Sequence, residues 1–236
     1  MVLISAHRCG AGDDPAGQNG LHALAHSLAL TSASGGVDYV EFDVRRLPSG
    51  SLVVTHDDPG DGDGVELLPY ASVLESLAGR AGAHIDLKAE GYEIEATEAA
   101  LQLIPADRIV VTTGSVSGAR RLRDWADEHA HPIRVGLSTG SSLSGLSPLQ
   151  ALVSLRRQLF PWGRYAAARA DVLCAHHVLA ALTLRRLAAR RGLDLLVWTV
   201  DDGRLLRWWL RPGRAWMVTT NHPARALTVR PTERAT

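Results

Sequence analysis

The sequence predicts an α/β protein, a (β/α)8 TIM barrel formed as a single domain over residues 1–236. Three observations carry that prediction. Short apolar runs alternate with amphipathic stretches along the whole chain, the pattern of a parallel sheet with helical crossovers. Eight such runs remain once one hairpin strand is set aside. The length of 236 residues suits eight βα units and can bury a full core. An open, doubly wound sheet is the alternative, but no glycine-rich phosphate fingerprint follows the first apolar run.

In chain order, Val2–Ala6 reads as the first strand and Leu21–Leu30 as the first helix. Tyr39–Val44 is a strand, and Ser51–Thr55 pairs back onto it through the Pro/Gly turn "RRLPSG". Ser72–Leu77 is a short helix. Then come strand Ala83–Leu87, helix Glu93–Leu103, strand Ile109–Val111, helix Gly118–Glu128 and strand Ile133–Gly136. Helix Pro148–Leu159, strand Asp171–Cys174, helix Leu179–Arg190, strand Leu193–Thr199, helix Arg204–Leu210 and strand Trp216–Thr219 complete the alternation. Two loops stand out by composition. "DDPGDGDG" (Asp57–Gly64) is acidic and glycine-rich but lacks the spacing of an EF-hand, and reads as a flexible loop. "TGSSLSGLSP" (Thr139–Pro148) reads as one long βα loop.

Composition narrows the function classes. Twenty-five basic and 25 acidic residues balance to zero, with no basic stripe of the kind nucleic-acid binding requires. Arg185, Arg186, Arg190 and Arg191 cluster, but at helical spacing around Leu184 and Leu187, as a solvated helix face. Cys9 and Cys174 provide no metal-site spacing and read as reduced thiols. The N-terminal "MVLISAHRCG" has no basic region and only a short apolar run, and no segment is long enough to span a bilayer; a cytoplasmic protein is expected.

In a barrel of this kind the chemistry sits at the C-terminal ends of the strands. The first strand ends in "AHR", placing His7 and Arg8 there. The second carries "EFD", so Glu41 and Asp43 share a face at strand period two. The hairpin strand runs into His56 and Asp57, and the next barrel strand ends in "DLK", with Asp86 and Lys88 on one face. Lys88 is the only lysine in a chain that otherwise uses arginine. Three carboxylates suit oxygen-only ligation of Mg²⁺ or Ca²⁺ better than zinc. Arg8, Lys88 and a divalent cation form an anion clamp, and His7 and His56 supply a base and an acid near neutrality. The set fits cleavage of a phosphoryl ester.

With these residues in hand, the chain resembles the glycerophosphodiester phosphodiesterase family. The matching features are "HR" at the first strand, "GVDYVEFDVRRLPSGSLVVTHD" around the second, "HIDLK" at the third, "VWTVDD" at the seventh and "VTTNHP" near the end. The resemblance implies a metal-dependent hydrolase of lipid metabolism that converts a small-molecule glycerophosphodiester to glycerol 3-phosphate and an alcohol, with attack by a neighbouring substrate hydroxyl through a cyclic phosphate. His7 and His56 would be the acid/base pair, Arg8 would hold the phosphate and Lys88 would contact phosphate or glycerol oxygens. Glu41, Asp43 and Asp86 would bind Mg²⁺ or Ca²⁺. Trp198 would form an apolar wall of the pocket or pack as core at the barrel top.

The chain departs from the family pattern at several positions. Cys9 replaces the glycine that usually follows His-Arg, and Gln18 and Gly20 stand in "QNG" where "ENT" is usual, weakening any supporting role of that glutamate. Asp86 replaces a common Glu, and Asn221 a common Asp. The segment from His56 to Asp86 is a shortened insertion, which implies a more open site or one completed by a partner subunit. Two further readings compete. One is a phospholipase D-like enzyme on lysophospholipid or sphingolipid head groups, which needs an exposed apolar rim; Trp208, Trp209 and Trp216 offer one, although their spacing suits packing better. The other is a non-catalytic barrel that binds phosphorylated ligands. His176 and His177 follow the sixth strand with no assigned role.

Overall fold

The computed structural model describes residues 1–32, 35–60, 67–139 and 147–231. Its strands are β1 (Leu3–Ala6), β2 (Tyr39–Arg46), β3 (Leu52–Val54), β4 (Leu68–Pro69), β5 (Gly82–Leu87), β6 (Ile109–Thr113), β7 (Arg134–Ser138), β8 (Val172–His176), β9 (Asp194–Trp198) and β10 (Met217–Thr220). They are ordered β1-β10-β9-β8-β7-β6-β5-β2, and β1 pairs with β2 to close the ring. All eight pairings around the ring are parallel. β3 and β4 are antiparallel additions beside β2. The predicted eight-stranded barrel is therefore the observed one.

Among the described residues, ten α-helical segments surround it: α1 (Leu21–Ala29), α2 (Tyr70–Leu77), α3 (Glu93–Leu101), α4 (Val116–Glu128), α5 (Pro148–Leu159), α6 (Trp162–Ala168), α7 (His177–Leu179), α8 (Arg185–Arg191), α9 (Gly203–Trp209) and α10 (Pro223–Val229). A π-helical turn over Ala180–Leu184 joins α7 to α8. Local chemistry sets the helix ends. Ser115 Oγ accepts the Gly118 N–H at 2.9 Å to start α4, which buries Ala119, Leu122 and Ala126 at helical spacing. Asp202 Oδ1 accepts from the N–H groups of Arg204 and Leu205 to start α9. Gly192 at φ 65° ends α8 in the left-handed region.

Three elements differ from expectation. β4 is two residues long and contains a proline, so its pattern carries no strand signal. α6 begins after Pro161 with a glycine at its second position, which reads as loop. α10 opens on Pro223 at its first turn, where the missing N–H costs nothing. Residues 61–66 of the Asp57–Gly64 loop and residues 140–146 of the Thr139–Pro148 loop lie outside the described residues.

Strand alternation sorts the two faces of the barrel. Ile4, Val40, Phe42, Ile85, Leu173, Val197 and Val218 pack against the helices. Tyr39, Val110, Val172, Cys174, Leu196 and Met217 form a separate cluster inside the ring. The strands approach closely at Gly136, where a Cβ would lie 2.6 Å from Cys174 Sγ and 2.9 Å from Thr112 Cγ2. Along β2 and β5 the same inward face continues upward as Glu41 and Asp43, and as His84 and Asp86. An apolar plug thus closes the N-terminal half and polar groups fill the C-terminal half.

At the opposite end from those polar groups, Asp38 ties three parts of the chain together. Its Oδ2 accepts the Ile4 N–H at 2.8 Å and the Arg230 guanidinium, and its carbonyl accepts the Gly82 N–H at 2.9 Å. The Arg230 side chain is only 2 % exposed and also donates to the Gly36 carbonyl at 3.1 Å. Removing one partner of such a pair strands a buried charge. Asp38→Ala is expected to cost about 3 kcal/mol, a fall in Tm of roughly 6–12 °C, read by thermal unfolding. A change under about 1 °C would show that the clasp is dispensable.

Candidate active site

The C-terminal ends of the strands surround a cleft of about 400 Å³, within the range of small-molecule sites. Its lining includes His7, Arg8, Glu41, His56, Asp86, Lys88 and Trp198, contributed by four strand ends and the hairpin tip. Asp43, about 1 % exposed, sits among these groups with two cationic side chains and one amide around its carboxylate. Lys88 Nζ lies 2.6 Å from its Oδ1, Arg8 Nε 3.2 Å from its Oδ2, and Asn19 Nδ2 donates to Oδ2 at 2.8 Å. All eight residues singled out from sequence therefore converge on one end of the barrel.

The carboxylates set the electrostatics. Oxygens of Glu41, Asp43 and Asp86 all lie within 4.8 Å of one another. Burial, reinforced by Asp43 and Asp86, pushes the Glu41 carboxyl well above the usual range. Burial works the same way on Asp43, but Lys88, Asn19 and Arg8 outweigh it and hold that carboxyl below its ordinary value. Lys88 bridges Asp43 and Asp86, at 2.6 and 2.5 Å. Burial would lower the ammonium, yet these two carboxylates keep it firmly charged. An oxygen-only donor set with excess negative charge, small enough for one ion, fits a hard divalent cation. Glu41, Asp43 and Asp86 are the residues that can hold it.

His7 and Arg8 reach the site through a tight turn. Arg8 (φ 45°) and Cys9 (φ 65°) are both left-handed, and Gly10 follows at φ 79°. Such non-glycine conformations cost about 1–2 kcal/mol each. In return the Arg8 N–H donates to Glu41 Oε2 at 2.6 Å while its side chain reaches Asp43. Ser27 Oγ donates to the Cys9 carbonyl at 2.7 Å, and a Cβ on Gly10 would meet Ser27 Oγ at 2.3 Å. Cys9 thus takes a backbone conformation natural to glycine. Gln18 keeps a supporting role despite the change from Glu, since its Oε1 accepts from Arg8 Nη1 at 2.7 Å.

Burial pulls the His7 imidazole below its usual value. Its Nδ1 is 2.8 Å from Asn221 Oδ1 and its Nε2 3.9 Å from Glu41 Oε2. His56 is different: its side chain is 43 % exposed, and its Nδ1 pairs with Asp57 Oδ1 at 2.7 Å. The histidine bond holds the Asp57 carboxyl below its ordinary range.

Several contributors were not singled out from sequence. His84 lies on the cleft floor, between Ser5 Oγ at 3.1 Å and Thr112 Oγ1 at 3.3 Å, and burial lowers its pKa to about 4. Thr112 Oγ1 in turn donates to Asp86 Oδ1 at 2.5 Å. His84 could have been found by the same period-two argument that placed Asp86. Asn19, whose amide brackets Asp43 from both sides, had no signal beyond its place in "QNG". Trp198 lines the cleft, and its ring meets His176 edge-on at 5.7 Å, with the His177 ring tilted against His176 at 4.4 Å. The three tryptophans that offered a rim in sequence, Trp208, Trp209 and Trp216, pack instead. Trp209 is buried against Trp208, Arg214 covers Trp208, and Trp216 packs on Tyr39 before β10, away from the mouth.

No helix is long and apolar enough to cross a membrane among the described residues. No family model matches the sequence, and no curated protein does. Solved structures do match. A glycerophosphodiester phosphodiesterase from Agrobacterium tumefaciens is similar with a TM-score of 0.67 at 20% identity, over 96% of this chain and 100% of that one. One from Thermotoga maritima gives 0.60 at 18% identity, over 98% and 99%. An Oleispira antarctica phosphodiesterase in complex with sn-glycerol-3-phosphate gives 0.65 at 19% identity, over 97% and 96%. At these identities the likeness establishes the fold: the chain is a (β/α)8 barrel resembling those of glycerophosphodiester phosphodiesterases from end to end.

Proposed function

We propose that this barrel is a divalent-cation-dependent phosphodiesterase that cleaves glycerophosphodiesters to glycerol 3-phosphate and an alcohol. The observation that carries the reading is the convergence of two histidines, two fixed cations and three clustered carboxylates around one cleft. Similarity to a phosphodiesterase bound to sn-glycerol-3-phosphate supports the substrate class.

Glu41, Asp43 and Asp86 would hold the ion, Mg²⁺ or Ca²⁺, which when bound supplies charge neutralisation for the phosphoryl oxygens. Arg8 and Lys88 orient the phosphate. His7, kept neutral by burial, takes the proton of the substrate hydroxyl adjacent to the phosphoryl group as that oxygen attacks phosphorus. The bond from phosphorus to the alcohol oxygen breaks, and His56, backed by Asp57, gives that oxygen its proton. Water then opens the cyclic phosphate with the two histidines in exchanged roles, restoring both. Trp198 forms an apolar wall beside the leaving alcohol.

A second reading, a phospholipase D-like activity on lysophospholipid or sphingolipid head groups, draws on another part of the surface. Leu149 and Leu152 of α5 and Val178 of α7 are exposed, on helices that follow the C-terminal ends of β7 and β8.

A release assay across glycerophosphocholine, glycerophosphoethanolamine, glycerophosphoinositol and lysophosphatidylcholine separates the readings, and the diesters without acyl chains are the expected substrates. EDTA is expected to abolish turnover and added Mg²⁺ or Ca²⁺ to restore it; full activity in chelator removes the metal assignment. His7→Ala and His56→Ala should each lower kcat by at least about 10²-fold with an unchanged circular dichroism spectrum. Lys88→Arg keeps the charge but puts a wider, planar group where an ammonium touches two carboxylates. It should cost about 10–100-fold in metal affinity or turnover, measured by calorimetry and by initial rates. Wild-type behaviour would make the lone lysine incidental.

A further inference from the structure

We infer that Asp201 and Asn221 together fix which nitrogen of His7 carries the proton, acting as positioning residues for a base they do not themselves replace. The inference rests on the reading of His7 as the base. It concerns a pair of side chains that sequence reasoning left without a role.

The argument is one of donors and acceptors. Asp201 sits in the loop after β9, and Asn221 immediately follows β10. Asp201 Oδ1 accepts the Asn221 backbone N–H at 2.9 Å and the Thr220 hydroxyl at 3.0 Å. Its other oxygen, Oδ2, accepts from Asn221 Nδ2 at 2.8 Å. An ionised carboxylate only accepts, so the amide atom facing it has to be the NH₂ group. The atom facing His7 is then the amide oxygen, which also only accepts. His7 Nδ1, 2.8 Å away, therefore has to carry the proton. Nε2 is left with a free lone pair, on the edge of the ring that faces Glu41 and the cleft. The arrangement thus selects the tautomer whose bare nitrogen faces the cleft, the form that a base needs. The Arg225 guanidinium, donating to the Asp201 carbonyl at 2.7 Å, pins the loop that carries Asp201.

The isosteric change Asp201→Asn discriminates this device from a merely structural contact. Its one remaining oxygen is claimed by two donors, the Asn221 N–H and the Thr220 hydroxyl. Its new NH₂ group then faces the side chain of Asn221. The Asn221 amide has to flip, presenting NH₂ to His7 Nδ1 and moving the imidazole proton to Nε2.

The test is long-range ¹H–¹⁵N correlation NMR on histidine-labelled protein, with the His7 signals assigned by their loss in His7→Gln. It is paired with kcat and KM on glycerophosphoethanolamine. Wild type should show a protonated Nδ1 and a bare Nε2. Asp201→Asn should show the reverse, with kcat lower by about 10²–10⁴-fold, the scale of a wrong-tautomer base, and KM little changed. Asn221→Ala, which removes the amide but leaves Asp201, should lose the Nδ1–H preference too. A wild-type His7 protonated on Nε2 overturns the inference, as does an Asp201→Asn variant that keeps both the Nδ1–H tautomer and full kcat. If the tautomer behaves as described while no glycerophosphodiester is turned over, the positioning device stands and the functional reading falls.

Discussion

Charge balance at the mouth of the barrel governs everything else about this site. Three carboxylates lie within 4.8 Å of one another, on side chains of which two are buried. Two like charges 4 Å apart repel by about 4 kcal/mol even at an effective dielectric of 20, so the cluster cannot stay ionised without compensation. Lys88 and Arg8 supply part of it. The ammonium touches Asp43 and Asp86 at once, and the guanidinium takes the other oxygen of Asp43. Glu41 remains the least compensated, and burial, reinforced by Asp43 and Asp86, pushes its carboxyl up. The three carboxylates could hold one further cation, whose charge would complete the balance.

Charge balance also explains why the chain tolerates strain after β1. Two consecutive non-glycine residues in the left-handed region cost stability. The turn they form puts the Arg8 N–H on Glu41 and the Arg8 side chain on Asp43 and Gln18. A helical or extended continuation of β1 would aim that backbone donor elsewhere. Ser27 and the close packing around Gly10 hold the turn from behind. Cys9 occupies its tightest point because the strain is offset by contacts on both sides, not because the position is permissive.

Much of the site was legible from spacing alone. Strand period two places Glu41 with Asp43 and Asp86 with Lys88, and the barrel rule places strand ends at the site. The same logic reaches His84 once the inward face of β5 is followed down one step. Asn19, Thr112 and Asp201 were not legible in this way. Their roles come from hydrogen bonds across 19 to 26 residues of chain, as between Asp201 and Thr220 or between Thr112 and Asp86. No local pattern encodes those. The tryptophans of "LLRWWLRPGRAW" show the converse case, since an apolar cluster in sequence was consistent with a rim or with packing. The partners Tyr39 and Arg214 decided for packing.

By itself the sequence determined the barrel, its eight-strand count and the set of ionisable groups at its C-terminal end. Those follow from periodicity and turn chemistry, which act over a few residues. It did not determine where the short elements β4, α6 and α10 form, because proline and glycine erase their local signal and packing onto the barrel restores it. Nor did it determine how the charges are shared among the carboxylates, or which nitrogen of His7 is free. Those depend on ångström-scale distances between residues as far apart as His7 and Asn221. Only closing the ring, with β1 between β2 and β10, brings the first strand's histidine beside the residue that follows the last.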